Sequence, residues 1–372
     1  MKVLHVITSL DVGGAELMLQ RLVESTSDFS HLVVSLTGMG VVGERLSRQG
    51  VTVRALGMDG PLSMMTGWAR LLVLVSRERP DVVHCWMYHS DLIGGVAARV
   101  CRVPKVLWGV RATNLPRSGS IKTKMIRMLC ALMSRWIPSR VVYAADVSRK
   151  LHEGLGYVAS KSSVIPNGFD VDALHAGRQS RYRVRRDLGL HDDEVVIGFL
   201  GRFHDDKGPD VFLQAATLVH RAHAGVRFMM VGRGMTESNE VLRTWIAASG
   251  LSGAVLLLGE RNDVPSCLAA MDVYCLSSRT EGFPNAVGEA MGVGLCCVVT
   301  DVGDAARLVQ QFGIVVPPND PVALGAGLIR AVNMTDSDRM GIGLRAQARV
   351  AEQFSMRAVA RRYSELYLSP KA

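Results

Sequence analysis

The sequence predicts an α/β protein made of two doubly wound parallel-sheet domains in tandem. Three observations carry that expectation. Short β-branched runs alternate with helix-length amphipathic stretches along the whole chain, the pattern of parallel strands joined by crossover helices. The 372 residues are long for one core, and hydrophobic residues at 48% are ample for two. Between the halves a polar, strongly charged run from Arg178 to Glu194 follows the turn-rich segment Val164-Ile-Pro-Asn-Gly-Phe-Asp170. The boundary is therefore expected at about 170–190, with one domain over 1–180 and a second from 181.

In the first half strands are expected at 2–8, 31–36, 51–56, 81–85, 105–109, 140–143 and 162–165. In the second half they are expected at 195–200, 226–231, 254–258, 272–276, 295–300 and 313–316. Neither a low-complexity tract nor a short-period repeat interrupts them.

Composition narrows the function classes. The seven cysteines show no C-x-x-C spacing and most lie inside apolar runs, as expected of reduced, buried thiols in a reducing compartment. The N-terminal stretch is too short and turns polar too soon for a signal peptide, and no uncharged run reaches the roughly 20 residues that cross a bilayer. A cytoplasmic protein is expected. Residues 1–180 hold 22 Lys and Arg against 13 Asp and Glu, whereas residues 181–372 hold 21 of each. The whole excess of +9 lies in the first half, which suits an anionic surface or an acidic substrate. No nucleic-acid partner is expected.

The chemistry-bearing residues fall at the C-terminal ends of the expected strands, the edge where open parallel sheets bind ligands. The central stretch is Glu281-Gly-Phe-Pro-Asn-Ala-Val-Gly-Glu289, between the apolar runs Val273-Tyr-Cys-Leu and Leu295-Cys-Cys-Val-Val-Thr. Gly282 and Pro284 shape a turn, Asn285 is the expected N-cap, and the following helix N-terminus favours a phosphate. After the first strand, Gly13 and Gly14 either let a backbone approach a ligand or make a tight strand-to-helix turn; their spacing is not the dinucleotide fingerprint. Asp81-Val-Val-His84-Cys-Trp-Met-Tyr-His89 offers two histidines that are either bases or acceptor contacts, or structural. Arg111 ends the next strand, where a guanidinium needs an anionic or carbonyl partner. Residues 121–137 form a basic amphipathic helix with Ile121, Met125, Met128, Leu132 and Trp136 on one face, for packing on the sheet or for resting on anionic lipid. In the second half, Gly201-Arg202 and Lys207-Gly208 place two cations in one loop, a pair suited to a phosphate. Gly232-Arg-Gly234 and the Arg261–Asp263 loop end the next two strands. Asp170-Val-Asp172 has the D-x-D spacing of metal-dependent sugar transfer but follows Pro-Asn-Gly, so it is read as a turn. No cluster has metal-ligand spacing.

Taken together these motifs resemble the retaining glycosyltransferases of the GT-B fold, in particular the large family 4. The matching pieces are Gly13-Gly14-Ala15-Glu16, Pro166-Asn-Gly-Phe-Asp170, Gly201-Arg202 with Lys207-Gly208, Gly232-Arg-Gly234, Glu281 to Glu289, Thr300 to Asp304 and Gly313-Ile-Val-Val-Pro-Pro. The resemblance implies two Rossmann-like domains facing a central cleft, with the second domain over 181–353 and a last helix within 354–372 returning to the first. It implies a UDP- or GDP-sugar donor on the second domain and a glycan or lipid-linked saccharide acceptor on the first. Arg202 and Lys207 would stabilise the diphosphate, helped by Gly13, Gly14 and the N–H groups of the Phe283-Pro284-Asn285 turn, with Arg261 also on the donor side. Glu289 would bind the ribose and Glu281 the donor sugar. Such enzymes need neither metal nor cofactor. Where the family commonly carries a histidine contacting the donor sugar, this chain has Arg111, either an electrostatic replacement or the mark of a weak catalyst. The expected function is hexosyl transfer in surface or exopolysaccharide synthesis, peripheral at the inner face of the membrane. The alternatives are a nucleotide-sugar epimerase of the same fold or a sugar-nucleotide-binding partner subunit.

Overall fold

The computed structural model describes residues 1–111 and 121–370, and the chain divides into two compact units, 1–168 with 356–372, and 169–355. All thirteen expected strands form. In the first unit they are β1 (Lys2–Ile7), β2 (Ser30–Ser35), β3 (Thr52–Ala55), β4 (Val82–Trp86), β5 (Lys105–Val110), β6 (Arg140–Tyr143) and β7 (Ser162–Val164). They pair in parallel in the order β3-β2-β1-β4-β5-β6-β7. In the second they are β8 (Val196–Leu200), β9 (Arg227–Val231), β10 (Val255–Gly259), β11 (Val273–Leu276), β12 (Cys296–Thr300) and β13 (Gly313–Val316), parallel in the order β10-β9-β8-β11-β12-β13. Each order reverses direction once, between β1 and β4 and between β8 and β11. Those reversals open a crevice at the strand C-terminal ends.

The strands read as apolar runs because helices cover both faces of each sheet. On one face of the first sheet Leu4, Val6, Val83 and Cys85 meet helices α2 (Pro61–Glu78), α3 (Tyr88–Val100) and α4 (Ile121–Met133). On the other, Val3, Ile7, Val82 and Trp86 meet α1 (Gly14–Ser25) and the last helix, Met356–Leu368. That last helix buries Val359, Ala360, Tyr363 and Tyr367, so its apolar stripe seats it in the first unit.

One expectation is corrected. The division falls at Gly168/Phe169 and Ser355/Met356, not at 180/181 and 353/354. The charged run is no linker. Helix α5 (Val171–Arg178) lies with its Gly177 against Pro265, and Arg181 bonds the carbonyls of Ala269 and Met271 and the carboxylate of Asp272. Arg185, fully buried, bonds Ala270 O and Asp272. Asp170 of the D-x-D spacing caps α5, accepting from Ala173 N at 3.0 Å. For α4 the sequence left two readings open. The helix packs through Cys130 and Ala131, and the stripe Ile121, Met125, Met128, Leu132 and Trp136 faces solvent.

Candidate active site

The loops after β8 and β11, the two strands beside the reversal in the second sheet, are tied together by side chains. Ser277 Oγ donates to the carbonyls of Lys207 and Gly208 at 3.0 and 2.9 Å. Arg279 reaches back to both oxygens of Asp210. Gly208 is at φ +60°, and a Cβ there would sit 2.3 Å from Ser277 O, so only glycine lets the loops close this tightly. Lys207 Nζ donates to Glu281 Oε1 at 2.6 Å, and Ser278 Oγ donates to the same oxygen at 2.7 Å. The pair is only partly exposed, 29% for Lys207 and 10% for Glu281. Thr300 Oγ1 donates to Ser278 O from the end of β12, and Asp304 N to Gly282 O, so the neighbouring strand end braces the Glu281 loop.

Arg202, in the same β8 loop, is exposed, and its guanidinium has no partner among the described residues. Among the described residues this loop thus offers Arg202 as a free cation and Lys207 as an ammonium already shared with a carboxylate. Helix α6 (Pro209–Ala222) leaves the β8 loop, and α7 (Asn285–Val293) leaves the β11 loop. Asn285 is the first residue of α7 rather than its cap. Pro284, whose ψ of 90° is non-helical, holds the cap position without a side-chain bond. Glu289 lies one turn along, four residues from Asn285 and therefore on the same side of α7. Phe283 packs against Phe169 and Phe354, at 6.1 and 5.9 Å between ring centroids. Arg261 donates twice to Asp263 at 2.8 Å, which holds that carboxyl below its usual range and neutralises the arginine.

At the corresponding reversal of the first sheet, Gly13 and Gly14 follow β1. An added Cβ at Gly13 would meet the Glu16 carboxylate at 2.4 Å, whereas at Gly14 it would meet nothing within 4 Å. Burial raises the pKa of Glu16. Thr8 and Ser90 hydroxyls bridge the ends of β1 and β4 at 3.1 Å. His89 is exposed in the first turn of α3. His84 is not at the edge. It is fully buried mid-strand, its Nδ1 is 2.9 Å from Tyr367 Oη on the last helix, and burial followed by the Arg111 charge holds its pKa well below the usual value. Arg111 ends β5 as expected but is engaged within its own unit. It donates to Asn167 Oδ1 at 2.9 Å and to Tyr363 Oη, and lies over the Trp86 ring at 4.9 Å.

Sequence reasoning missed Ser277, Ser278 and Tyr363. The serine pair follows directly on an apolar strand, the one signal that marked it. Among the described residues no group of three or more His, Cys, Asp or Glu is placed to hold a metal ion. All seven cysteines are free thiols, and only Cys101 is not buried.

Comparison with known proteins bears on this arrangement. The profile of the glycosyl transferases group 1 matches residues 194–334, and that of glycosyltransferase family 4 matches residues 12–173. The chain is 28% identical over 268 residues to the Escherichia coli UDP-Gal:alpha-D-GlcNAc-diphosphoundecaprenol alpha-1,3-galactosyltransferase, covering 71% of this chain and 69% of that one. It is 23% identical over 313 residues to the capsular polysaccharide biosynthesis glycosyltransferase CapM of Staphylococcus aureus, 80% and 79% of the two chains. In fold it matches HepE of Anabaena, solved in complex with UDP, at a TM-score of 0.87 with 22% identity over 98% of this chain and 99% of that one. Two parallel sheets with their interleaved helices make the fold GT-B, and the chain belongs to the group 1 glycosyltransferases.

Proposed function

We propose that the chain transfers a hexose, with retention of anomeric configuration, from a UDP- or GDP-sugar to a growing lipid-linked saccharide of a surface or exopolysaccharide. The observation that carries the donor half is the Lys207–Glu281–Ser278 cluster at the reversal of the second sheet, with the free Arg202 in the same loop. Breaking the bond from sugar to nucleotide leaves a diphosphate whose growing charge must be met. Each charge-assisted hydrogen bond contributes about 1.5–3 kcal/mol. Arg202 and Lys207 together would then supply about 3–6 kcal/mol, or two to four decades in rate where the charge is felt only in the transition state. With two cations at the leaving group the reading needs no divalent metal.

Glu289 takes the ribose hydroxyls, since a carboxylate accepts two O–H bonds. Glu281 contacts a donor-sugar hydroxyl and, in the free protein, shares the Lys207 ammonium. Asn285 and the N-terminus of α7 serve the phosphates, while Phe283 and Pro284 set the turn. Arg261, neutralised by Asp263, has a minor share. Gly14 leaves the end of β1 open to a ligand, and His89, not His84, is the histidine available to an acceptor. UDP-glucose bound to HepE supports a uridine donor, and the diphosphoundecaprenol acceptor of the E. coli relative supports a lipid-linked one. The cellular place on this reading is the inner face of the membrane.

Replacing Glu289 or Lys207 by Ala should abolish donor turnover, measured as UDP or GDP release with acceptor. Undiminished turnover in either variant sinks the site assignment, and an inverted product anomer sinks retention. The engagement of Arg111 by Asn167 and Tyr363 favours a second reading, a sugar-nucleotide-binding partner subunit. It predicts UDP binding with no turnover of any acceptor.

A further inference from the structure

The outward stripe of α4 is a feature of the first unit that the transfer chemistry leaves unused. Met125 is 64% exposed, Met128 72% and Leu132 58%, with Ile121 and Trp136 at the ends at 76% and 63%. These residues recur at three- and four-residue intervals, so they form one continuous face and not scattered surface hydrophobics. Helix α2, packed on the same core of the first sheet, also turns apolar residues outward, with Leu62 at 82%, Met65 at 74% and Val73 at 67%. Both helices flank α3 on one side of that sheet.

Helix α4 carries Lys122, Lys124 and Arg127 with no acid, and Arg135 follows it. Between Asp91 and Asp146 the sequence holds ten Lys and Arg and no acidic residue at all. The one acid of α2, Glu78, is bonded to Lys2 at 2.9 Å. A second copy of the chain seated here would bring two basic faces together with no acid to pair them, which is unfavourable. An anionic bilayer supplies what both halves of the face require, an apolar interior for Met, Leu and Ile, and phosphates for the flanking Lys and Arg. Tryptophan at one end of the stripe suits the headgroup boundary.

We propose that the α2–α4 side of the first unit docks on an anionic lipid bilayer. Helix α4 lies flat in the interface, Met125, Met128 and Leu132 enter the acyl region, and Lys122 and Arg135 meet lipid phosphates. This deepens the membrane placement proposed above and is independent of the donor chemistry.

The test is co-sedimentation of the full chain with vesicles of phosphatidylcholine alone or with one part in three phosphatidylglycerol. The probes are the wild type, Met128→Asp/Leu132→Asp and Lys122→Glu/Arg135→Glu. All four positions are exposed, so the thermal midpoints should match the wild type. The UDP- or GDP-induced rise in midpoint reads the donor site separately. The wild type should bind phosphatidylglycerol vesicles at least tenfold more tightly than neutral ones. Each basic side chain near such a surface contributes about fivefold, so charge reversal at two should cost more than tenfold, as should the two aspartates. Equal binding to both vesicle types, or full binding by both variants, overturns the proposal. So does a solution dimer that both variants dissolve while the wild type ignores vesicles. Vesicle binding without any UDP- or GDP-induced shift in the wild type would sink the donor reading and leave the docking standing.

Discussion

The ion pair between Lys207 and Glu281 makes a prediction whose sign separates donor binding from turnover. In the free protein the ammonium is shared by Glu281 at 2.6 Å, so an incoming diphosphate must share it too. Two anions on one ammonium lie within about 5 Å of each other. At an effective dielectric of about 20 their repulsion is about 3 kcal/mol. Lys207 is 29% exposed, and solvent screening lowers that to about 1–2 kcal/mol. Glu281→Gln keeps the shape and a hydrogen-bonding oxygen for Lys207 and Ser278 but removes the repulsion. Isothermal titration at fixed salt should therefore show UDP binding about tenfold tighter, while transferase turnover falls because the sugar has lost its carboxylate partner. Lys207→Ala should weaken UDP by 10- to 100-fold and lower turnover as well. Unchanged or weaker UDP binding in Glu281→Gln refutes the reasoning, because Glu281 would then be orienting Lys207 and not competing with the diphosphate for it.

Three further outcomes are expected. Arg202→Ala, at an exposed position without a partner among the described residues, should leave the thermal midpoint unchanged and weaken UDP by about tenfold or more in the same titration. Ala at Gly208 should destabilise by about 2 kcal/mol or more through the positive φ and the clash with Ser277 O, whereas Gly14→Ala should leave stability intact and reduce turnover alone; equal midpoints for the two would refute it. His5 and His84 are fully buried, and burial holds both pKa values well below the ordinary 6.5, with neighbouring His31 and His84 adding to His5 and Arg111 adding to His84. The unfolded chain takes up these protons near pH 6.5 and the folded one does not, so this stability is present above pH 6.5 and lost below it. Two imidazoles give up about 2 kcal/mol between pH 6.5 and 5.5, and calorimetry should show the first unit melting about 4–8 °C lower at pH 5.5 than at 6.5; a flat profile excludes the coupling.

What could be read from the sequence follows the physics of burial. Parallel strands covered on both faces are apolar runs such as Val195-Val-Ile-Gly-Phe-Leu, and all of them were legible. The charged run Arg178–Glu194 misled because sequence shows charge but not direction. Arg181 and Arg185 turn inward to cap carbonyls and pair with Asp272, and a buried guanidinium reads like a solvated one. Helix α4 carries apolar residues around most of its circumference. The small Cys130 and Ala131 decide which side faces in, because they let the helix approach α3 closely enough for Cys130 Sγ to reach Tyr88 O. His84 looked like a strand-end histidine because nothing local reveals that Tyr363 and Tyr367, more than 270 residues later, cover it.

Arg111 is where this chain departs from the family it resembles, and its surroundings argue for a tether. Its two terminal nitrogens are engaged by Asn167 and Tyr363, its Nε is buried with no partner among the described residues, and its plane lies over Trp86. An arginine so held joins the end of β5 to the Pro166–Gly168 segment and to the last helix, three parts of one unit. Two such charge-assisted bonds, partly buried, contribute about 2–3 kcal/mol. Arg111→Lys keeps the charge but cannot reach both partners with its single ammonium. A tether predicts a midpoint about 5–10 °C lower for the first unit with turnover per folded molecule preserved, and the same direction at smaller size for Tyr363→Phe, which leaves the guanidinium in place and removes one acceptor. A group contacting the donor sugar predicts the reverse, an unchanged midpoint with turnover reduced tenfold or more in Arg111→Lys and little change in Tyr363→Phe. Calorimetry and donor turnover on the two variants therefore decide between them, and the second pattern would return Arg111 to the catalytic machinery.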